Sequence, residues 1–462
     1  MVNKIVNFSV INLGCTKNLV DLEYVLWDIL SLETKNTEIN FFQNPDQDEV
    51  EYLIINTCGF LSSSRAEAEW IMEDYNNIWK KLIIIWCYVP VKDDDFLASL
   101  ENLEAVIPYE EIKNTSKILL GWEKLEKLKK GLWKLKNKQI KKYLWSIWGD
   151  QIWDKAFIYW TESVRAFLAA DKGYEYLKIA EWCNNKCSFC IIPNIRWKQR
   201  SRSIEDIVEE VKIMIKSWIK EIEIISQDTT RYWVDLYKWP KLIELLEEID
   251  KIEWDFKIRL FYMYPDILSL SHIDRLSKLK KLLPYFDFPF QHISPKILKR
   301  MDRFYDDNHI FKILNYIKEK FENPFFHTNF IVWFPWEDKQ DHQMMLDFAK
   351  KYEFDSVSVF WYHDEPLAKS STLDQKIDPK TIKTRLKALK EVLNPIYDKK
   401  DRSRIWTQQI WFIEEINQQK QTLKIRPEIK APEIDDLDKI NFEDLIWTEY
   451  INIWDKVEYI LK

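Results

Sequence analysis

Glycine is scarce in this chain of 462 residues. The usual frequency of about 7% would give roughly 32 glycines, but only 6 are present. There are 23 tryptophans, and the two counts together come to 29. Several tryptophans stand where a turn favours glycine, as Trp333 and Trp336 do on either side of Phe334 and Pro335. We hypothesise that the gene reads UGA as glycine and that this sequence renders it as tryptophan; the alternative is a protein truly rich in tryptophan.

Long apolar runs are absent too, because no stretch approaches the roughly 18 residues that a membrane-spanning helix needs. Met1–Leu13 lacks the charged and then apolar layout of a signal peptide. Six cysteines are too few for disulfides to stabilise the fold of so long a chain. We therefore expect a globular, cytoplasmic protein with no membrane partner, whose cysteines serve metal or redox chemistry. A net charge of −7 mildly disfavours nucleic acid as the main partner.

The first 120 residues alternate short apolar segments with helical ones. Strands are predicted at Lys4–Asn12, Tyr52–Asn56 and Leu82–Ile85, and helices at Leu19–Leu30 and Ser64–Lys81. This rhythm predicts an N-terminal α/β domain with a parallel sheet over residues 1–120. Residues 121–171 are interpreted as a lysine-rich linker region, with nine lysines against two glutamates between 123 and 142. A nucleic-acid patch is the alternative for this segment.

A second series of strands and helices runs from 172 to 400. Its predicted strands are Tyr176–Ala180, Glu221–Ser226, Phe256–Tyr262, Tyr285–Phe290, Phe326–Val332 and Ser356–Phe360. Helical segments such as Ile204–Lys216 and Pro240–Ile249 separate them, which predicts a partial (β/α)6 barrel open on one side. From 401 to 462, strands are predicted without a helix between them, at Trp411–Ile416, Thr422–Ile429 and Asp455–Leu461. This pattern predicts a small C-terminal all-β barrel.

Three cysteines lie close together directly after the first predicted barrel strand. Cys183, Cys187 and Cys190, here called the loop trio, have the spacing C-x3-C-x2-C. Three thiolates on one tight loop can hold three irons of a four-iron cluster and leave the fourth iron open for a ligand. Zinc is the rival, but a structural zinc site needs four ligands and this loop has no fourth cysteine. Three buried structural thiols are the remaining alternative.

The other three cysteines are far apart in sequence. Cys15, Cys58 and Cys87, here called the strand-end trio, each follow directly after a predicted strand. All strands of a parallel sheet end on one edge, where ligands collect. We therefore expect these three thiols to converge into a second three-thiolate site, with separate core thiols as the alternative.

The residues around both trios resemble the radical S-adenosylmethionine (SAM) methylthiotransferases. The loop Cys183–Pro193 resembles the radical SAM signature, and Asn194–Arg202 resembles its continuation in this family. Gly14–Asp21 and Asn56–Phe60 are similar to the family's N-terminal cluster domain. The RimO branch, which modifies a ribosomal protein, is indicated by Gln227–Tyr232, Asp235–Tyr237, Pro289–Ser294 and Phe330–Glu337. The resemblance covers nearly the whole chain.

The chain also departs from the family pattern. Pro90 and Val91 stand where these enzymes usually carry a Gln-Arg pair. Tryptophan replaces the family's glycine at Trp86, Trp182, Trp197, Trp233, Trp333 and Trp336. These six positions agree with the UGA hypothesis.

The resemblance implies two [4Fe–4S] clusters, one on the loop trio and one on the strand-end trio, with SAM as a further cofactor. The first cluster would split SAM into a radical that removes hydrogen from a carbon, and the second would supply a methylated sulfur. Polar residues at barrel strand ends are candidates for holding SAM, because functional residues collect on that face. The candidates are Gln227, Asp228, Arg259, Gln291 and Glu337, with Phe189 packing near the adenine. Loop structure or a salt bridge is the alternative for each.

The last domain, residues 401–462, bears on the substrate, because the resemblance implies a TRAM-like domain that contacts it. This domain carries 9 basic and 13 acidic residues, and seven of the acids lie between Glu428 and Asp444. An acidic surface suits a basic ribosomal protein better than it suits the phosphates of tRNA. We therefore expect methylthiolation of an aspartate β-carbon in small-subunit ribosomal protein S-twelve, with a reducing electron donor as a further partner.

Two alternative functions stay open from the sequence. The first is a tRNA methylthiotransferase that acts on a modified adenosine beside the anticodon. The second is a two-cluster electron carrier without catalysis, although a carrier needs neither a barrel nor polar residues at its strand ends.

Overall fold

The computed structural model describes residues 4–30, 37–109, 115, 119, 173–195, 198–303, 307–376, 378–405, 408–445 and 456–460. The predicted linker region at 121–171 lies outside these residues. The chain divides into two compact units. The first contains the N-terminal domain with 191–198 and 209–219, and the second contains 172–190, 199–208 and the chain from 220 onward. None of the described helices combines the length and the apolar character needed to cross a membrane.

Five parallel strands form the N-terminal sheet in the order β2-β1-β3-β4-β5. The strands are β1 (Lys4–Asn12), β2 (Thr37–Phe42), β3 (Tyr52–Thr57), β4 (Lys81–Trp86) and β5 (Leu103–Ile107). The helices of this domain are α1 (Thr16–Leu30), α2 (Ser62–Asn77) and α3 (Asp94–Ser99). The predicted parallel α/β domain is confirmed, although β2, β5 and α3 were not predicted. The strand order reverses between β1 and β3, which is where sheets of this order bind ligands.

Helices cover both faces of this sheet. Leu22 and Ile29 of α1 pack in one apolar cluster with Ile54 and Ile83. Ala68 and Met72 of α2 pack in a second cluster with the alternate strand residues Leu53, Ile55, Leu82 and Ile84. Because neighbouring strand residues point to opposite faces, the central strands must be apolar throughout.

Six parallel strands form the sheet of the second unit in the order β13-β12-β11-β10-β9-β6. They are β6 (Tyr174–Lys178), β9 (Glu221–Ile225), β10 (Lys257–Leu260), β11 (Leu282–Gln291), β12 (Phe325–Val332) and β13 (Ser356–Trp361). Two short strands, β7 (Ala180–Glu181) and β8 (Arg200–Ser201), pair antiparallel beside the cysteine loop. Because β6 and β13 stand at opposite edges, the sheet is open, and the predicted (β/α)6 arrangement is confirmed.

Helices follow these strands along the chain. They are α4 (Ile192–Ile195), α5 (Ile204–Lys216), α6 (Val234–Tyr237), α7 (Leu242–Asp250), α8 (Leu270–Leu276), α9 (Pro295–Arg300), α10 (Asp307–Lys320), α11 (Lys339–Tyr352) and α12 (Pro379–Arg404). The predicted helix at Ile204–Lys216 agrees with α5 at both ends.

The C-terminal segment is an antiparallel sheet in the order β16-β15-β14-β17. Its strands are β14 (Gln408–Asn417), β15 (Thr422–Pro427), β16 (Asp438–Asn441) and β17 (Lys456–Ile460). An antiparallel bridge between Leu445 and Tyr459 joins the chain after β16 to β17. The all-β character is as predicted, although β16 was missed.

Tryptophan occupies left-handed backbone unusually often. Thirteen of the 23 tryptophans lie among the described residues, and seven of the thirteen have φ between 63° and 82°. These seven are Trp79, Trp86, Trp182, Trp218, Trp233, Trp333 and Trp336. A bulky residue rarely adopts this conformation, whereas glycine does so readily. The indole Nε1 atoms of Trp233 and Trp333 are also buried with no acceptor among the described residues. The backbone therefore supports the glycine hypothesis at these positions.

Two of these tryptophans end helices in the position that favours glycine. After α2, the N–H of Trp79 donates to the carbonyl of Asn76 at 3.2 Å, and the N–H of Lys80 donates to Tyr75 at 3.2 Å. After α5, Trp218 donates to Ile215 at 3.0 Å in the same pattern, and the next residue donates to Met214 at 3.2 Å. This pair of bonds is the Schellman motif, whose left-handed residue is usually glycine.

A buried ion network joins the barrel to the C-terminal sheet. Glu221 of β9 accepts hydrogen bonds from Arg259 of β10 at 2.6 and 2.9 Å and from Arg426 of β15 at 2.6 Å. All three side chains are fully buried. Arg426 also donates to Glu414 at 2.6 Å, and Arg259 donates to the carbonyl of Glu428 at 2.9 Å. Burial raises the pKa of Glu221, but Arg426 and Arg259 outweigh it and lower that pKa to about 2.

Several carboxylates of the acidic segment between Glu428 and Asp444 bind groups within the protein. Glu433 accepts hydrogen bonds from Tyr174 and Tyr176 of the barrel, each at 2.9 Å. Asp435 accepts one from Tyr285 at 3.1 Å, and Asp438 is buried and pairs with Arg404 and Lys430. The predicted acidic docking surface is smaller than expected, because Glu433 and Asp435 bind tyrosines of the barrel and Asp438 is buried in ion pairs.

Replacing exposed left-handed tryptophans by glycine should stabilise the protein. Trp79→Gly and Trp218→Gly should each raise the free energy of unfolding by up to about 1 kcal/mol, because left-handed backbone costs a side chain about 1–2 kcal/mol. Trp70 is the matched control, since it is also exposed but lies within α2. Trp70→Gly should lower the stability by about 1 kcal/mol. Urea denaturation measures all three, and a loss of stability in the first two would contradict the assignment.

Removing one cation of the buried network should destabilise the fold strongly. Arg426→Met leaves the Glu221 carboxylate buried with one partner fewer, and such a loss costs about 3–5 kcal/mol. Lys424 is the matched control on the same strand, because its pair with Glu415 is exposed. Lys424→Met should change the free energy of unfolding by less than about 1 kcal/mol. Equal effects of the two changes in thermal and urea unfolding would contradict this account.

Candidate cluster sites

The strand-end trio lies at the edge of the N-terminal sheet where its strands end. Cys15 follows β1, Cys58 follows β3 and Cys87 follows β4, and these three strands are neighbours in the sheet. Cys15 is exposed and the other two are half-buried. The first two cysteines flank the point between β1 and β3 where the strand order reverses, which is a ligand-binding position.

One buried side chain, Asn18, links the three strand ends. It lies in the first turn of α1, and its Nδ2 donates to the carbonyl of Thr57 at 2.9 Å and to the sulfur of Cys87 at 3.4 Å. Its Oδ1 lies 3.7 Å from the sulfur of Cys15. Asn56 in turn donates to the carbonyl of Asn18 at 3.1 Å. The amide therefore holds Cys15 and Cys87 toward each other.

Glycines beside two of these cysteines permit close approach of the chain. A Cβ added at Gly59 would lie 2.0 Å from the carbonyl oxygen of Cys87 and 2.5 Å from its carbon. A Cβ added at Gly14 would lie 2.4 Å from the Cβ of Asn18. Only a glycine at 59 lets the Cys58 loop lie against Cys87.

The thiols of this trio also influence one another electrostatically. Burial is the main cause that raises the pKa of Cys58, and the charges of Cys87 and Cys15 act in the same direction. Among the described residues, no three Cys, His, Asp or Glu side chains form the tight shell of a single metal ion. Thiolate sulfur is the usual ligand of iron–sulfur clusters. The three thiols at this sheet edge therefore remain a candidate cluster site.

The loop trio follows β7, where the chain turns through Trp182 at φ 63°. The N–H of Asn185 donates to the sulfur of Cys183 at 3.3 Å, and the N–H of Cys190 donates to the carbonyl of Cys187 at 3.0 Å. Burial raises the pKa of Cys183 to about 12 and also raises that of Cys187. These thiols must therefore release protons when they bind metal.

Neighbouring segments hold this loop at its middle. The N–H of Ser188 donates to the carbonyl of Met301 at 2.9 Å, and its hydroxyl donates to the carbonyl of Arg300 at 2.7 Å. The carbonyl of Ser188 accepts from the N–H of Ser370 at 2.8 Å. The loop is thus held by backbone groups of two neighbouring segments.

Asp228 is placed beside the loop trio, and it contacts protein groups through both carboxylate oxygens. Its Oδ2 accepts from Asn185 at 2.7 Å, and its Oδ1 accepts from the hydroxyl of Thr230 at 2.6 Å. Arg231 lies 3.2 Å from the same carboxylate and also pairs with Asp266. Burial raises the pKa of Asp228, while these partners oppose that rise.

Three other predicted SAM contacts remain suited to a ligand. Gln227 follows β9, and its Oε1 is buried with no hydrogen-bond partner among the described residues. Gln291 ends β11 with φ 68° and is half-buried. Phe189 packs beside the apolar residues Ile297, Met301 and Phe334. A buried acceptor without a donor is costly unless something binds it, so Gln227 is the strongest of the three.

Arg259 and Glu337, also predicted as SAM contacts, form buried ion pairs within the protein. Arg259 is fully buried in the network with Glu221, so a ligand could reach it only by breaking that pair. Glu337 is buried as well, and it accepts from the N–H of Trp333 at 2.5 Å and from Arg385 at 2.8 Å. We therefore no longer propose either residue as a SAM contact.

Several side chains around the two sites were not predicted from the sequence. Asn18, Asn185 and Arg231 lie within a few residues of predicted positions, so their spacing could have suggested them. Arg303 could not have been found in this way, because it comes from the distant turn after α9. Its guanidinium donates to the carbonyl of Pro289 at 2.9 Å and is one of the charges acting on Cys187.

Comparison with known proteins gives consistent similarities. The profile of the Radical SAM superfamily matches residues 177–349. The ribosomal protein uS12 methylthiotransferase RimO of Aquifex aeolicus is 35% identical over 361 residues, which cover 77% of this chain and 72% of that protein. RimO of Acetivibrio thermocellus is 31% identical over 450 residues, which cover 96% and 94%.

A solved structure supports the fold. The radical SAM methyltransferase TsrM from Kitasatospora setae, with cobalamin and a [4Fe-4S] cluster bound, superposes with a TM-score of 0.53 at 9% identity. The match covers 80% of this chain and 77% of TsrM. At this identity the likeness concerns the fold alone.

Adding one methyl group at Gly59 should disrupt the strand-end trio selectively. In Gly59→Ala the new Cβ would clash with the backbone of Cys87 and push Cys58 away from it. After anaerobic reconstitution we expect this variant to bind about half the iron of the unaltered protein, since only the loop trio stays intact. Ser63→Ala, an exposed change in the same segment, is the control. Full iron content in Gly59→Ala would contradict the convergence of these cysteines.

Proposed function

Because this chain belongs to the RimO family of radical SAM methylthiotransferases, we propose that it attaches a methylthio group to the β-carbon of an aspartate in ribosomal protein uS12. The observation that carries the proposal is the use of all six cysteines in two separate trios. A radical SAM enzyme needs one three-cysteine cluster site to form the radical. An enzyme that also transfers sulfur can use a second such site to supply the sulfur. The loop trio and the strand-end trio supply both.

The residues of the chain would act as follows. The loop trio holds a [4Fe–4S] cluster with one iron left for SAM, and the strand-end trio holds a second cluster. When bound, these groups supply a 5′-deoxyadenosyl radical from SAM and a methylated sulfur for the substrate carbon. At the strand ends, the side-chain amides of Gln227 and Gln291 form hydrogen bonds with SAM. Phe189 packs against the adenine of SAM. A reducing partner supplies the electron.

The choice of substrate is supported by the relatives and by one segment. The similar proteins are named for ribosomal protein uS12 and not for tRNA. The Gln227–Tyr232 segment also resembles the RimO branch in sequence. The charge of the C-terminal sheet no longer supports the choice, since much of it is paired internally. A ribosomal substrate also accounts for a cytoplasmic location.

Two matched variants test the proposal. Replacing the strand-end trio by alanine should preserve the release of 5′-deoxyadenosine from SAM under reducing conditions but abolish the methylthio mass gain on uS12. Replacing the loop trio by alanine should abolish both, because no radical forms. Peptide mass spectrometry and nucleoside chromatography provide the two measurements.

The unaltered chain provides the reference for both variants. It should give both products when expressed in a strain that lacks its own enzyme of this activity. If tRNA nucleosides gain the methylthio mass while uS12 does not, the tRNA alternative replaces this proposal. If no deoxyadenosine forms at all, the electron-carrier alternative does.

A further inference from the structure

Asp228 is tied to the middle of the cysteine loop. It follows β9, is 5% exposed, and accepts from Asn185, which lies between Cys183 and Cys187. Thr230 and the backbone N–H of Arg231 fix its other oxygen at 2.6 and 3.3 Å. Protein groups thus bind both oxygens of this carboxylate and hold it in one position beside the loop.

The charge of Asp228 acts on the thiols of the loop trio. Asn185 connects the two groups, because its side chain donates to Asp228 at 2.7 Å and its backbone N–H donates to the sulfur of Cys183 at 3.3 Å. A carboxylate this close to the loop disfavours any further negative charge on iron that the thiolates hold.

Two arginines act in the opposite direction. Arg303 is 5% exposed, and its guanidinium lies 4.3 Å from the ring centre of Tyr264. It follows Met301, whose carbonyl accepts from the N–H of Ser188 in the cysteine loop at 2.9 Å. Arg231 lies 3.2 Å from the Asp228 carboxylate. One buried carboxylate and two cations are therefore held in fixed positions near the loop trio.

We propose that Asp228 is a positioning residue that holds the cysteine loop through Asn185 and lowers the reduction potential of the cluster on Cys183, Cys187 and Cys190. The inference rests on the proposed function, because it assumes that cluster. One electron from the reductant adds one negative charge to the cluster, and no bond is made or broken in this step. Net charge and hydrogen bonding near a cluster set its potential. A buried carboxylate therefore makes the reduced cluster a stronger reductant toward the SAM sulfonium.

The test is a redox titration followed by electron paramagnetic resonance. The full chain is reconstituted anaerobically with the strand-end trio replaced by alanine, so that one cluster gives the signal, and dithionite is the reductant. Asp228→Asn keeps an acceptor for Asn185 but removes the charge, and its midpoint potential should shift to a less negative value. Arg303→Gln removes a cation and should shift it to a more negative value. Asp255→Asn, an exposed acid after α7, should leave it unchanged.

The opposite signs of the two shifts exclude a merely structural role. An unchanged potential in Asp228→Asn, or a shift in the same direction as in Arg303→Gln, overturns the inference. If Asp228→Asn fails to fold, Asn185→Ala takes its place, because it breaks the link between the carboxylate and the loop. An unchanged potential in that variant overturns the inference as well. Failure of the proposed function is separate, because it appears in the unaltered protein as a missing cluster signal or a missing mass gain on uS12.

Discussion

The candidate sites of this protein depend on one property of parallel sheets, namely that all strands end on the same edge. In the N-terminal domain this property brings together three cysteines that are 43 and 29 residues apart in sequence. Asn18 then binds two of the strand ends directly, so the convergence is built by hydrogen bonds and not by topology alone. In the barrel the same rule places the cysteine loop, Gln227 and Gln291 after their strands. Both candidate sites thus lie where the chain leaves a strand, in two different domains.

Left-handed backbone is the second requirement of both sites. Trp86 and Trp182 adopt it directly before Cys87 and Cys183, where the chain leaves a strand and turns to present a sulfur. A tryptophan in this conformation costs about 1–2 kcal/mol. A glycine would not incur this cost. The shortage of glycine in the composition can therefore be traced to particular turns, where tryptophan stands in left-handed backbone. It also explains why the same positions differ from the family's pattern.

The sequence predicted most of the strands and the sheet types, because apolar periodicity is a local signal, but β2, β5 and β16 were missed. The two cysteine trios were grouped by their spacing and by their positions after strands. It did not predict the partners of buried charges. Arg259 stands at a barrel strand and was expected to bind SAM, but Arg426 and Glu428, more than 160 residues away, complete a buried network around it. The acids of the C-terminal sheet were misread for the same reason, since tyrosines of the barrel bind them. Such pairings become visible only when distant segments are brought together by the fold.

The central claim is that six cysteines form two sites of three. Anomalous diffraction at the iron edge, from crystals of the anaerobically reconstituted protein, tests this most directly. The account predicts two separate iron clusters, one bounded by Cys15, Cys58 and Cys87 and the other by Cys183, Cys187 and Cys190, each with one iron that has no protein ligand. A single cluster, or a cluster with four protein ligands, would contradict it.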